Sequence, residues 1–181
     1  MVVEPLALPG LLLVKPTVHR DARGYFVESY SAPRYQKAGI DVVFVQDNHS
    51  RSAKGTLRGM HFQTVPGQAK LVRVATGRIF DVAVDIRPGS PTFGRWEGVF
   101  LDAEQHWQLY VPVGFAHGFC VVSKTADVLY KVSSPYDGAT ETGFRFDDPE
   151  VDIRWPVEHP ILSARDQAAK PLKDVVPGPA R

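Results

Sequence analysis

The chain has only one cysteine among its 181 residues, which excludes a disulfide within the chain. Cys120 lies in the apolar run 119–122, where we expect a buried and unreactive thiol rather than a nucleophile. A protein without disulfides suits a reducing compartment, so the sequence favours a cytoplasmic location.

The sequence also has no large excess of positive or negative charge. Twenty-one Lys and Arg residues oppose twenty Asp and Glu residues, which leaves a formal net charge of +1. This balance gives no bulk electrostatic reason to expect binding to nucleic acid or to an anionic membrane. Long hydrophobic runs are absent as well. The apolar segment 5–14 is too short to cross a bilayer and lacks a basic leader, so we expect a strand there rather than a signal peptide.

Short strand signals recur along most of the chain, separated by glycine and proline turns. The clearest is residues 78–86, where apolar side chains at even positions alternate with a second face that carries Asp81 and Asp85. Further strands are predicted at residues 42–46, 57–63, 70–75, 96–101, 107–111, 118–122 and 127–132. Many short strands at this spacing predict an all-β antiparallel sandwich or jelly roll.

Helix signals are few. Residues 33–38, followed by Gly39, predict one short helix that ends at a glycine. The run 163–166 has the pattern of a capping box that opens a second helix, and Pro171 is expected to end it. No repeat, low-complexity run or linker interrupts the chain, so we expect residues 1–181 to form one domain with a frayed tail at 176–181.

Three segments concentrate side chains that can transfer protons. Arg58 and His61 lie three positions apart beside a glycine, His117 follows a Pro-x-Gly turn, and Tyr130 precedes Lys131 in a strand pattern. A histidine whose ordinary pKa lies near neutrality, a phenol and several cations suit the movement of protons on and off carbon. Taken one at a time, a strand histidine is more often a hydrogen-bonded structural residue, and a strand tyrosine more often packs on the core.

The ordered combination of motifs resembles the dTDP-4-dehydrorhamnose 3,5-epimerase family, the cupin-like sugar-nucleotide epimerases of L-rhamnose biosynthesis. The resemblance covers residues 5–172 and implies a cupin-like jelly roll with a few short helices. The matching segments are residues 21–30, 44–50, 57–62, 68–73, 80–87, 90–94, 112–119, 129–131 and 163–166.

This resemblance implies chemistry on a 4-keto-6-deoxyhexose attached to dTDP, whose C3 and C5 protons both flank the C4 ketone. A base removes a proton, a cation stabilises the enolate oxygen, and an acid returns a proton to the opposite face. By resemblance, His61 is the base and Asp166 accepts a hydrogen bond from its second ring nitrogen. Tyr130 is then the acid, and Lys70 is the cation beside O4.

The same resemblance implies the substrate-binding residues. Arg23 and Arg58 are expected to bind the diphosphate, because a guanidinium group pairs with phosphate oxygens through two parallel hydrogen bonds. The other implied positions are Glu28, Gln46, Asp47, Asn48, Lys70, His117, Tyr136, which would stack on thymine, Glu141 and Arg165. No cofactor or metal is expected. The implied assembly is a homodimer in which N-terminal strand residues of one subunit help to line the other's site.

Three other functions stay open. A metal cupin could draw on donors at His49, His61, Glu104, His106 and His117. Metal cupins, however, tend to place two histidines two positions apart, and Gly59 stands two positions before His61. A sugar-nucleotide sensor would have the pocket without the catalytic side chains. An epimerase that acts at C3 or C5 alone would share the whole catalytic set.

Overall fold

A computed structural model describes residues 1–176, and β-strand is the dominant regular structure. Strands β1 to β13 are, in chain order, Val2–Pro5, Leu12–Lys15, Val18–Asp21, Gly24–Val27, Gln46–Ala53, Leu57–Gln63, Lys70–Thr76, Arg78–Asp85, Trp96–Asp102, Gln108–Val111, Phe115–Val121, Thr125–Val132 and Glu141–Gly143. The helices are short: α1 spans Ala32–Lys37, α2 spans Ala164–Gln167, and a 3-10 helix spans Leu172–Asp174. None of the helices in this described part is long and apolar enough to span a membrane.

Two antiparallel sheets pack face to face. The large sheet has the strand order β1-β2-β10-β7-β12-β5, and the small sheet has the order β13-β6-β11-β8-β9. All the pairs between named strands are antiparallel, and sequence neighbours are mostly separated in space. The predicted all-β jelly-roll sandwich with a few short helices is confirmed.

Apolar side chains fill one end of the space between the sheets. Leu109 and Val74 from the large sheet belong to the same buried cluster as Ile79 and Leu101 from the small sheet. Ile79 is on the face of β8 that also carries Asp81, so the alternation predicted for residues 78–86 is confirmed. This core holds the two sheets together, and it leaves their other end free for polar residues.

The outer face of each sheet is also covered. Tyr35 of α1 packs with Leu71 on the outside of the large sheet. Phe144, which follows β13, packs with Val82 on the outside of the small sheet. Apolar packing therefore covers part of the outer face of each sheet.

Two predicted strands differ from the structure. Segment 5–14 is not one strand, because Gly10 adopts a φ of +98° in a turn that separates β1 from β2. Residues 42–45 lie outside any regular strand, and β5 begins only at Gln46. Val43 and Val45 are 79% and 54% exposed, so their β-branched side chains do not mark a packed strand.

Both predicted helices are present, although the second is shorter than expected. Helix α1 is followed by Gly39 at a φ of +93°, as its sequence predicts. In α2, the Ser163 hydroxyl accepts a hydrogen bond from the Asp166 N–H at 3.1 Å, but the helix makes a single turn and ends before Pro171 is reached. Of the tail predicted to fray, Val176 is 7% exposed, and residues 177–181 lie outside the described residues.

The location of the apolar core predicts how strongly a substitution that shortens a buried side chain should destabilise the protein. Leu109 is fully buried, so Leu109→Ala should lower the free energy of unfolding by about 2–5 kcal/mol. The exposed control Val43→Ala should change it by less than about 0.5 kcal/mol. Urea unfolding of both variants provides the measurement. Equal effects of the two substitutions would contradict this location of the core.

Candidate active site

A cavity of about 500 Å³ occupies the polar end of the sandwich, between the two sheets. Seven of the residues singled out from the sequence line it: Arg58, His61, His117, Tyr130, Glu141, Arg165 and Asp166. They come from strands of both sheets and from α2. The fold therefore gathers, in one place, side chains that are more than 100 residues apart in the chain.

His61 and Tyr130 come from opposite walls of this cavity. His61 lies on β6 of the small sheet, where it is paired with His117 of β11. Tyr130 lies on β12 of the large sheet, where it is paired with Asn48 of β5. A flat group bound between the sheets would therefore meet the histidine on one face and the phenol on the other.

Asp166 fixes the state of the His61 ring. Nε2 of His61 lies 2.7 Å from Oδ1 of Asp166, whose side chain is 5% exposed. Burial raises the pKa of Asp166, but hydrogen bonds from His61 and Ser163 and the N–H of Gly59 outweigh burial and leave this pKa below its ordinary value. The carboxylate is thus ionised at neutral pH and holds the proton on Nε2, which leaves the lone pair of Nδ1 free to accept a proton.

Tyr130 is held in its protonated form. Burial raises the pKa of its phenol, the negative charge of Glu141 raises the pKa further, and the positive charge of Arg58 offsets only part of this increase. A phenol with a raised pKa stays neutral at physiological pH and can donate its proton to a strongly basic carbon.

Lys70 is a buried cation on the inner face of the large sheet, although it is not among the described residues that line the cavity. It begins β7, pairs with Val132, and is 9% exposed, so it is not a solvated surface lysine. Burial lowers the pKa of Lys70 to about 8, although the negative charges of Glu141 and Asp81 raise it. Within residues 1–176 its ammonium group makes no hydrogen bond or ion pair, which leaves its donors available to a ligand.

A second histidine–carboxylate pair lies beside the first. Nε2 of His117 is 2.7 Å from Oδ1 of Asp81, a carboxylate that is fully buried. Oδ2 of Asp81 has no hydrogen-bond partner among the described residues. Asp81 was not predicted as a site residue, although an inward-facing aspartate within an otherwise apolar strand was a signal that could have identified it.

Arginine and carboxylate contacts complete the charged lining. Arg58 donates a hydrogen bond from Nε to the Ser52 hydroxyl at 3.1 Å, and both of its terminal nitrogens are unused within the part of the chain that the structure describes. Nη1 of Arg165 lies 2.5 Å from Glu141. The terminal nitrogens of Arg58 therefore remain available to an anionic ligand, whereas Arg165 is already paired with a carboxylate.

Strand β5 and the segment after β12 carry the predicted nucleotide contacts. The Gln46 side chain donates to Asn48 at 2.8 Å and accepts from the N–H of Tyr136 at 3.2 Å. Tyr136 is 61% exposed. Asp47 is not brought to this side, because side chains alternate along a strand, and it pairs with Lys131 on the outer face at 2.9 Å.

Arg23 and Glu28 do not reach the cavity of their own chain. Arg23 lies on the β3-β4 hairpin, which forms a separate two-stranded sheet, and its side chain is 90% exposed beside Asp21. Glu28 pairs with Arg34 of α1 at 3.2 Å.

The donors named for a metal cupin are dispersed. No three His, Cys, Asp or Glu side chains converge on one point within residues 1–176. His49 contacts Asp127, and His106 packs against the ring of Tyr25 at 4.4 Å between ring centroids.

Comparisons with known proteins identify the family to which the chain is similar. A family model described as dTDP-4-dehydrorhamnose 3,5-epimerase matches residues 5–174. A Neisseria gonorrhoeae protein of that name is 49% identical over 165 residues, or 91% of this chain, although the chain spans only 50% of that relative's length. A Streptomyces niveus protein named dTDP-4-dehydrorhamnose 3-epimerase is 44% identical over 171 residues, covering 93% of this chain and 83% of the relative.

A solved structure is similar over nearly its whole length. It is a dTDP-6-deoxy-D-glucose-3,5-epimerase of Legionella pneumophila Philadelphia 1 in complex with dTDP-4-keto-L-rhamnose. The TM-score is 0.94, the sequences are 45% identical, and the match covers 99% of each chain.

The burial of Lys70 predicts a pH-dependent gain in stability when its charge is removed. Because the pKa falls from 10.5 to about 8 on folding, the cost of burying the ammonium group is present below pH 8 and disappears as the pH rises to 10.5. Lys70→Met should therefore raise the free energy of unfolding at pH 7 by roughly 1–3 kcal/mol. The gain should shrink by pH 10. Denaturant unfolding at both pH values, with the exposed Lys124→Met as control, tests this, and an equal gain at both would contradict it.

Proposed function

The chain belongs to the dTDP-4-dehydrorhamnose 3,5-epimerase family, and from this membership we propose that it inverts C3 and C5 of dTDP-4-dehydro-6-deoxy-D-glucose. The observation that carries the proposal is the placement of His61 and Tyr130 on facing sheets, with Lys70 buried on the strand that pairs with the Tyr130 strand. The product of this reaction is the sugar nucleotide bound in the similar Legionella protein.

Each inversion proceeds through an enolate. Nδ1 of His61 takes the proton from the carbon beside the C4 ketone, and the electron pair moves onto O4. The Lys70 ammonium stabilises the oxyanion, since a cation in a buried site acts with little screening by water. Tyr130 then donates its proton to the carbon from the other face, and solvent restores the protonation states of both residues. The base, the acid and the cation are all side chains, so this chemistry needs no cofactor.

The nucleotide is bound by the remaining polar residues. Arg58 contacts the diphosphate with the two terminal nitrogens that Ser52 leaves free. Gln46 and Asn48 contact the nucleoside, and Tyr136 stacks on its base. The other proposed sugar and phosphate contacts are His117, Glu141 and Arg165.

The β3-β4 hairpin is proposed to complete the site of a second subunit in a cytoplasmic homodimer. Arg23 and Phe26 on this hairpin are highly exposed, with Phe26 at 69%. Exposure of this kind is unusual for a large aromatic side chain and suits a surface that a partner covers. Arg23, with Glu28 just after the hairpin, would then reach the diphosphate and the sugar nucleotide in the partner's cavity.

A C3-only epimerase is the second candidate. A relative that carries the name 3-epimerase is 44% identical to this chain, so family membership alone does not fix the number of inverted carbons. Both activities would use the same base, acid and cation.

Because the proposed base and acid lie on different sheets, substitutions of His61 and Tyr130 should affect hydrogen exchange and inversion differently. His61→Asn should slow turnover about 100-fold or more, because it removes the base. Tyr130→Phe should slow inversion by about the same factor while exchange of substrate hydrogen with solvent falls much less, because His61 can remove and return a proton on its own face.

NMR of the sugar nucleotide in deuterated water measures both rates and tests the proposed function. The wild type should incorporate deuterium and invert at C3 and C5, whereas a C3-only enzyme would do so at C3 alone. An unchanged ratio of exchange to inversion in Tyr130→Phe would remove Tyr130 from the role of acid. No incorporation at either carbon would contradict epimerisation itself.

Complementation between two inactive variants tests the shared site. Arg23→Ala and His61→Asn subunits should each form weakly active homodimers. A mixed dimer has one cavity with an intact His61 and an intact Arg23 from its partner, so co-expression with two affinity tags should recover activity. If the mixed dimer is as inactive as the homodimers, Arg23 does not serve the partner's site.

A further inference from the structure

The two sheets are joined by direct hydrogen bonds at the polar end of the sandwich, where there is little apolar packing. Nε2 of Gln68 lies 2.8 Å from Oε1 of Gln63 and 2.8 Å from the carbonyl oxygen of Ser134. Gln63 ends β6 in the small sheet, whereas Gln68 precedes β7 and Ser134 follows β12 in the large sheet. We call these three residues the amide clamp.

The clamp connects the segments that carry the reacting side chains. Gln63 follows His61 by two residues and shares its inward face of β6. Gln68 precedes Lys70 by two residues, and Ser134 follows Tyr130 by four. The clamp therefore lies within two residues of the proposed base and cation, and within four residues of the proposed acid.

Burial makes this hydrogen-bonded arrangement rigid. Gln63 and Ser134 are only 6% and 7% exposed, so water cannot readily replace the bonds between them and Gln68. The Ser134 hydroxyl also donates to the carbonyl of Gly67 at 2.9 Å, which ties the β12 end to the segment before β7. Breaking the clamp would leave buried acceptors unpaired, which is costly.

The clamp contains none of the residues that we assign to substrate binding or catalysis. None of its three residues is among the described residues that line the cavity. Another bond between the sheets, from Arg58 to Ser52, involves a residue that we assign to the diphosphate, so it cannot be altered without changing binding. The amide clamp can be altered while every proposed substrate contact is kept.

We infer that Gln63 and Gln68 are positioning residues that set the separation between the His61 wall and the wall of Tyr130 and Lys70. This inference rests on the proposed epimerase function. Exchange on one face needs His61 to remove and return the proton and Lys70 to stabilise the enolate, whereas inversion needs Tyr130 at the correct distance from the carbon as well. A small change in the separation should therefore slow inversion more than exchange, since a displacement of about 1 Å can cost about 100-fold in rate.

The test compares Gln68→Leu and Gln63→Leu with Gln36→Leu, a change at an exposed glutamine on α1 that serves as the control. We expect both clamp variants to lose about 10- to 100-fold in the rate of inversion and clearly less in the rate of deuterium exchange, with dTDP affinity changed less than about threefold. Because either single variant already removes the bond between Gln63 and Gln68, the loss in the double variant should be smaller than the product of the two single losses. The control should match the wild type.

Gln68→Asn, which retains the amide but shortens the side chain, serves if Gln68→Leu does not fold, and it should show the same selective loss. Exchange and inversion that fall by the same factor, or losses from the two single variants that multiply in the double variant, would overturn the positioning role. A wild-type protein that neither exchanges nor inverts would instead contradict the proposed function, and the positioning role would fail with it.

Discussion

A polar cavity can exist between two β-sheets only if something else holds the sheets together, and here that role falls to the apolar end of the sandwich. Leu109, Val74, Ile79 and Leu101 are almost completely buried in one cluster that joins the sheets. Burial of such side chains is the main favourable contribution to folding, at about 25 cal/mol for each Å² removed from water. That packing lets the opposite end keep charged groups whose burial is unfavourable.

The buried charged groups at the polar end differ in how many hydrogen-bond partners they have, and this difference affects the proposed chemistry. Asp166 and Asp81 each lie within 2.7 Å of a histidine nitrogen, which compensates part of the cost of their burial, although the second oxygen of Asp81 has no partner among the described residues. Lys70 has no such partner among residues 1–176, and its lowered pKa reflects the cost of holding it there. An uncompensated buried cation is stabilised when a negative charge forms nearby, which is the condition that an enolate oxygen would create.

Much of the fold follows from local sequence, because alternation along a strand records which face is buried. Residues 78–86 predict both faces of β8, and Gly39 predicts the end of α1. The β3-β4 hairpin was missed because its side chains face solvent and its attachment depends on distant contacts, such as that between Tyr25 and His106. Residues 42–46 were assigned to a strand from composition alone, although only Gln46 enters β5.

The site was less accessible from sequence than the fold. The residue types of His61 and Tyr130 permit proton transfer, but their roles as base and acid came only from family resemblance. The same is true of the connection between His61 and Asp166, which lies 105 residues further along the chain. Family resemblance assigned Asp47 to the binding site, but the structure does not place it there. Asp47 lies between Gln46 and Asn48 on β5, so strand alternation directs its side chain to the outer face, where it pairs with Lys131. The amide clamp left no signal, since glutamines on strands and loops are usually solvated.

The central claim is that a planar intermediate lies between a base on one sheet and an acid on the other. Its most direct test is a crystal structure with the unreacted dTDP-4-keto-6-deoxy sugar bound to the His61→Asn variant. We predict that the substituted side chain at position 61 and the Tyr130 hydroxyl lie on opposite faces of the hexose ring, with the Lys70 ammonium within hydrogen-bonding distance of O4. A hexose with both side chains on the same face, or with O4 directed away from Lys70, would contradict the account.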